Sequence, residues 1–244
     1  MSQEISNRRK ARVYRSTVVL LSVAAIAAAV LLAGCSSVTS NPQVIVTKAI
    51  KAQNSLKSVH VSFDVSMQVS GGTTGSAATS YHGEGDYQSP DRSKLTISAP
   101  GGDTEVIGVG DKAYVKKANS NTWAVQTVPQ NLSAGASPKD ISDYLKYTKN
   151  LKLVEQSGAS YHIRFTLDVG RYAQHQKSST GQLPSTAGME AQMDMWVLKD
   201  SFYVERTRME FHGNFASIGE GNMNMTVQVD FSDFNKPVTI ETPK

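Results

Sequence analysis

One cysteine, Cys35, stands in a chain of 244 residues. No disulfide can close within the chain, so packing and hydrogen bonds must hold the fold. Large rings are scarce as well, with two Trp, seven Phe and nine Tyr. Filling a wide core therefore falls mainly to Val, Ile, Leu and Met. A real excess of charge is also missing. The formal net charge is +4, but residues 1–34 hold Arg8, Arg9, Lys10, Arg12 and Arg15 against the single acid Glu4, leaving 20 basic and 20 acidic side chains beyond them. A balanced chain carries no electrostatic footprint for nucleic acid and no basic face for anionic lipid.

Catalytic signatures are lacking too. There is no Gly-x-Ser-x-Gly elbow, no Ser-x-x-Lys pair and no phosphate loop, and Gly101-Gly102 and Gly108-Val109-Gly110 read as turns. The five histidines, His60, His82, His162, His175 and His212, show no His-x-x-x-His spacing, so no metal site is expected. Glu84 with Asp86, and Asp230 with Asp233, are acid pairs with no recognisable base or apolar pocket beside them. Neither an enzyme nor a cofactor is expected.

What is present begins at the N-terminus. A basic stretch from Arg8 to Arg15 precedes an apolar run, which closes on Leu32-Ala33-Gly34-Cys35. This order describes a secretory signal peptide. The tetrapeptide matches the lipobox of bacterial lipoproteins, in which the cysteine is diacylated and the chain is cut just before it. The competing reading is a retained membrane anchor over Ser16 to Ala33, about long enough to span a bilayer. Either reading places the remainder outside the cytoplasm. The chain thus divides into a signal peptide, 1–34, a lipidated tether, 35–41, and one domain, 42–244.

Asn41-Pro42 reads as N-cap and first helical position, with Ile45, Ala49, Ala52 and Leu56 on one stripe of a helix over about 42–57. Lys48, Gln53 and Lys57 fall off that stripe. From Val59 the period changes to two: Val59, Val61, Phe63, Val65, Met67 and Val69 face one way, and His60, Ser62, Asp64, Ser66 and Gln68 the other. A loop over Ser70–Ser76 leads to a strand near 79–88 whose Gly83 and Gly85 predict a bend. Short strands follow near 92–98, 104–109 and 112–117, with Gly110-Asp111 as a hairpin turn, and a brief one at Trp123. A helix is expected over Pro138–Lys149, strands over Leu151–Gln156 and Ser160–Asp168, a short helix over Arg171–Lys177 and a polar loop over Gln176–Gly188. Three strands close the chain, near 190–198, 202–212 and 222–231.

This order of elements resembles the LppX/LprAFG lipoproteins of actinobacteria and, more distantly, the LolA/LolB lipoprotein carriers. The residues that carry the resemblance are His60-Val61-Ser62-Phe63, Tyr87-Gln88-Ser89-Pro90-Asp91-Arg92, Asp194-Met195-Trp196-Val197 and Asp230-Phe231-Ser232-Asp233-Phe234. The resemblance implies an α+β fold: a strongly curved antiparallel half-barrel with helices on its concave side and an apolar cavity between. It also implies that the cavity accepts acyl chains of a lipid or glycolipid, and that the protein carries them in the cell envelope.

The candidate lining is Val61, Phe63, Val65, Met67, Leu95, Ile97, Ile163, Phe165, Leu167, Met193, Met195, Met223, Met225 and Val227. Flexible thioethers suit a surface that must fit variable chains. Transfer of about 16 carbons at about 0.8 kcal/mol per methylene would supply roughly 10 kcal/mol before entropic losses, so no particular polar contact is required. The expected partners are the membrane, through lipidated Cys35, a lipid or glycolipid ligand and an envelope transporter. A monomer attached to the extracytoplasmic side of the cell membrane is expected. The alternative is a non-enzymatic envelope sensor or scaffold that binds a protein.

Overall fold

Asn41 opens the helix as its side chain predicts. In the computed structural model, which describes residues 39–71, 76–127, 145–156, 158–169, 171, 190–214 and 221–243, the Asn41 carboxamide oxygen accepts from the N–H groups of Gln43 at 2.9 Å and Val44 at 3.4 Å. Two of the orphan donors of the first turn are satisfied in this way, and Pro42 at the first position has none to lose. Helix α1 runs Pro42–Asn54, shorter than the expected span. It ends where Ser55 N–H turns back to the Ala52 carbonyl at 3.0 Å.

Its buried residues are Ile45, Val46, Ala49 and Gln53. Gln53 thus lies inside, against expectation. Its Oε1 accepts from Val204 N–H at 3.4 Å, a tertiary partner that spacing along the helix cannot reveal. A second tie comes from Lys48, whose Nζ lies 4.5 Å from the centre of the Phe202 ring.

Eleven antiparallel strands form one sheet: β1 Ser58–Gly71, β2 Ala77–Gln88, β3 Arg92–Ser98, β4 Thr104–Val109, β5 Lys112–Lys117, β6 Ala124–Thr127, β7 Thr148–Glu155, β8 Ser160–Leu167, β9 Glu190–Leu198, β10 Val204–Asn214 and β11 Gly221–Ser232. Their spatial order is β6-β5-β4-β3-β2-β1-β11-β10-β9-β8-β7. The chain therefore begins at the middle of the sheet and meanders to one edge. It then resumes at the other edge and meanders back until β11 pairs with β1. Alternation in β1 and β11 sets this central seam in register, with Val65 opposite Val227 and Met67 opposite Met225.

One expected element is corrected. The helix assigned to Pro138–Lys149 does not reach its expected end: Leu145–Tyr147 is a single 3₁₀ turn, and Thr148 and Lys149 already belong to β7, opposite Leu167 and Thr166. Ladder pairing with β8 overrides the helical spacing there, as tertiary contacts commonly override local preference. Residues 138–144, the expected helix beyond Arg171 and the loop at 176–188 lie outside the described residues.

The glycines of β2 lie where neighbouring groups approach the backbone closely. Gly83 lies opposite Phe63 and Gly85 opposite Leu95. A Cβ at Gly83 would overlap the Phe63 ring, and one at Gly85 would overlap the Lys94 carbonyl oxygen. Only a residue without a side chain lets the backbones close in this way.

The segment after β11 closes one end of the sheet. Asn235 N–H donates to the Ser58 carbonyl at 2.8 Å, and Lys57 N–H donates to Asn235 Oδ1 at 2.9 Å. Further on, Arg92 Nη1 donates to the Ile240 carbonyl at 2.6 Å, and Ile240 N–H donates to Gln88 Oε1 at 3.1 Å. These bonds hold Ile240, which is buried, at the β2–β3 turn.

Candidate functional site

The face of the sheet that meets α1 is mostly apolar, with Thr79 on β2 and the buried Thr207 on β10 as polar members, and its burial is uneven. One cross-strand row runs Met67, Met225, Phe211, Ala191, Leu167 from β1 through β11, β10 and β9 to β8. Ala191 and Leu167 are buried, whereas Met67, Met225 and Phe211 are only half-buried. The next row runs Val65, Val227, Met209, Met193, Phe165 and shows the same gradient, from half-buried at β1 to 1% exposed at Phe165. Beyond β1, Leu95 on β3 and Val106 on β4 continue the face and are again half-buried.

The reason lies in what covers each half. The buried core joins Ile45, Val46 and Ala49 of α1 to residues of β1 and β8–β11, and none of its buried members comes from β2–β6. Among the described residues, α1 thus seals the half of the inner face that runs from β11 to β8. Among those residues, none of the buried core lies over the half around β2 and β3.

The expected lining residues divide along this line. Val61, Ile163, Phe165, Leu167, Met193 and Met195 sit in the sealed core, each at most 3% exposed. Phe63 and Val227 are half-buried against its margin. Val65, Met67, Leu95, Ile97 and Met225 lie outside it and half-buried, while Met223, near the end of β11, is buried but does not join that core. Two further inner-face residues, Val69 and Tyr81, belong with the open group, and Phe211 joins Phe63 and Val227 at the core's margin. For Phe211 the signal was present, because Thr207, Met209 and Phe211 alternate with Arg206, Arg208 and Glu210. Tyr81 becomes an inner residue only through its pairing with Val65.

The opposite face is polar and internally paired. His60 meets Asp86 at 2.9 Å and His82 meets Asp64 at 2.8 Å, each pair directly across β1 and β2. On β8 and β9, the buried Asp194 carboxylate takes His162 Nε2 at 2.6 Å and Arg164 Nε at 2.8 Å. The His162 ring stacks on Trp196 at 4.5 Å, and Arg206 lies 5.9 Å from the same indole. Arg206 also holds Asp230 at 2.5 Å. The acids considered from sequence are therefore engaged in ion pairs in three of four cases: Asp86, Asp230 and Asp233. Asp233 is bound by Lys236 at 2.8 Å, and that hydrogen bond holds its carboxyl below the ordinary range. Asp168, at the end of β8, is likewise held low by Lys149 at 2.7 Å. Among the described residues, no group of three or more His, Cys, Asp or Glu side chains is placed to hold a metal ion. Nor, among them, is any helix long and apolar enough to cross a membrane. Cys35 lies outside them.

A family model described as a family of unknown function, DUF6612, matches residues 41–244. No curated protein matches the sequence. Several solved structures are similar to the chain. A LolA superfamily protein from Nitrosomonas europaea is 14% identical with a TM-score of 0.32, over 83% of this chain and 96% of its own. A DUF1329 family protein from Desulfovibrio piger is 10% identical with a TM-score of 0.30, over 83% and 96%. A domain from Vibrio parahaemolyticus named for outer membrane lipoprotein sorting is 8% identical with a TM-score of 0.29, over 82% and 95%.

Proposed function

From a chain that belongs to DUF6612, a family of unknown function, we propose an envelope lipoprotein, anchored through lipidated Cys35, that binds the acyl part of a lipid on the half of its inner face that α1 does not seal. The observation that carries this reading is the burial gradient. Val65, Met67, Met225, Leu95 and Ile97 continue an apolar face whose other half is sealed by α1, yet they remain half-buried. Exposed contiguous apolar surface marks a binding surface more often than chance. Two methionines at its centre give that surface side chains able to refit around different chains.

The energetics suffice without polar readout. A strip open on one side that removes half of a chain of about 16 carbons from water contributes roughly 5 kcal/mol or more before ordering costs. No catalytic group is called for. The resemblance to LppX/LprAFG lipoproteins adds the expectation that the bound lipid is carried within the envelope.

The test is native mass spectrometry of the full-length protein, as purified and after delipidation and reloading with phospholipid. Retained or reloaded lipid that is lost in Met67→Asp supports the reading. A protein that takes up none sinks it and leaves the sensor or scaffold role. Attachment is tested separately: Cys35→Ala is expected to release the protein from the membrane fraction, and unchanged attachment would point to a retained membrane-spanning segment.

A further inference from the structure

The charge balance of the chain conceals a local imbalance. Residues 92–127, which run from β3 to β6, hold five Lys or Arg against the three acids Asp103, Glu105 and Asp111, a net charge of +2. On the far half of the polar outer face, Arg164, Arg206 and Arg208 each hold a carboxylate, those of Asp194, Asp230 and Glu210. The β5–β6 end differs. Lys116 holds Glu105 at 3.1 Å, but Lys94, Lys112 and Lys117 have no ion-pair partner among the described residues. Apolar and aromatic side chains stand among them. Val125 on β6 is 60% exposed, more than any other large apolar side chain among the described residues. It lies opposite Tyr114, which lies opposite Ile107, which lies opposite Lys94, all on the outer face. Trp123, just before β6, is half-buried and has Lys116 Nζ 5.7 Å from its ring centre. Lys112 joins the same face opposite Thr127, and Lys117 ends β5 on the inner face.

We propose that the β5–β6 edge rests on an anionic lipid surface. Tyr and Trp settle at the boundary between headgroups and acyl chains, where the ring meets apolar groups and the polar end stays wet. Lysine stems lie along apolar surface and carry their ammonium groups out to the phosphates. Each lysine close to such a surface strengthens attachment about fivefold. Three lysines without acidic partners, set around Trp123, Tyr114 and Val125, combine both attractions on one edge. Salt screens the first and leaves the second.

A protein partner matches this edge less well. Lysine is depleted where proteins meet one another, and β6, at four residues, offers an added strand only a short ladder. The edge also has a place in the proposed lipid uptake. The inner-face row Gly85, Leu95, Val106, Val115, Ala124 runs from β2 to β6, so an acyl chain that leaves a bilayer at β6 meets apolar side chains without crossing the outer face. Docking itself does not require uptake, because the lysines and aromatic rings that carry it lie on the edge and the outer face.

The two tryptophans of the chain supply the test, since Trp123 lies at this edge and Trp196 on β9. The full-length protein is reconstituted into vesicles of phosphatidylcholine with brominated acyl chains, with or without about a third of anionic phosphatidylglycerol. Either form of N-terminal attachment keeps the domain at the bilayer. In Trp196→Phe, the remaining Trp123 fluorescence is expected to be quenched about twofold or more in the anionic vesicles and to recover in high salt. In Trp123→Phe, the remaining Trp196 is expected to show little quenching. Adding Lys94→Glu, Lys112→Glu and Lys117→Glu to Trp196→Phe is expected to remove most of the quenching. Val125→Asp is the milder second variant should the triple one fail to fold, with about half of the quenching lost. Equal quenching of the two tryptophans, equal quenching in neutral and anionic vesicles, or quenching unchanged in a folded variant overturns the proposal. Quenching of Trp123 that vanishes in Met67→Asp comes from a lipid held on the inner face and overturns it too. Quenching in a protein that takes up no lipid upholds the docking edge and sinks only the lipid site.

Discussion

Ile163 on β8 and Val65 on β1 face the same side of the same sheet, yet Ile163 is fully buried while Val65 is only half-buried. Nothing in the two side chains or their strands accounts for this, since both lie at apolar positions of an alternating pattern. The difference lies in what sits above them. Helix α1 delivers Ile45, Val46 and Ala49 onto one half of the inner face, and the buried core stops at β1. Among the described residues, a single pattern of alternation thus yields a sealed core on one side and a half-buried apolar strip on the other.

The sharpest way to break this comparison is a cavity on the sealed side. Phe165→Ala is expected to lose about 3 to 5 kcal/mol in chemical denaturation, because Phe165 is 1% exposed and its neighbours cannot all collapse into the space. A loss under about 1 kcal/mol would mean that this half is not a packed core. Overpacking comes next. Ile163→Trp is expected to cost about 1 to 3 kcal/mol, whereas Val65→Trp costs less than about 1 kcal/mol and reduces lipid uptake. Equal costs at the two positions would erase the distinction between the halves.

The close approach of β2 to β3 can be tested at Gly85. Gly85→Ala places a methyl group against the Lys94 backbone and is expected to cost about 1 to 3 kcal/mol; thermal melting unchanged from wild type would show that β2 and β3 are not held so close. The smallest effect is expected at the β7–β8 edge. Lys149 lowers the folded-state pKa of Asp168. The resulting stability is present above the unfolded carboxylate pKa and is lost as pH falls through the folded one. Lys149→Met is therefore expected to lower the melting temperature slightly at neutral pH and not at all in strong acid. A difference that persists in acid would contradict the pairing.

Strands were the most legible part of the sequence because their signals are local. The spans 92–98, 104–109 and 112–117 coincide with β3, β4 and β5, each set by short alternation between turn residues. Gly83 and Gly85 were legible as special positions of β2 for a related reason, since a missing side chain is itself a signal. Errors arose where a distant partner decides. Thr148 and Lys149 follow helical spacing but join β8, and Gln53 reads as exposed but finds Val204. The candidate lining was readable as an apolar face and no further. Val65 and Ile163 cannot be told apart until it is known which strands α1 covers.

By itself the sequence determined the period of each strand, the helix cap at Asn41, the special glycines of β2 and the order of a basic stretch, an apolar run and Cys35 at the N-terminus. These depend on neighbouring residues, on backbone sterics and on the near-absence of cysteine. Tertiary structure alone decided that the chain starts at the centre of the sheet, and that β11 returns to pair with β1. It also decided that, among the described residues, one helix seals the β11–β8 half of the inner face. Burial is a property of pairs of surfaces, and a pattern along one chain segment specifies only one member of each pair.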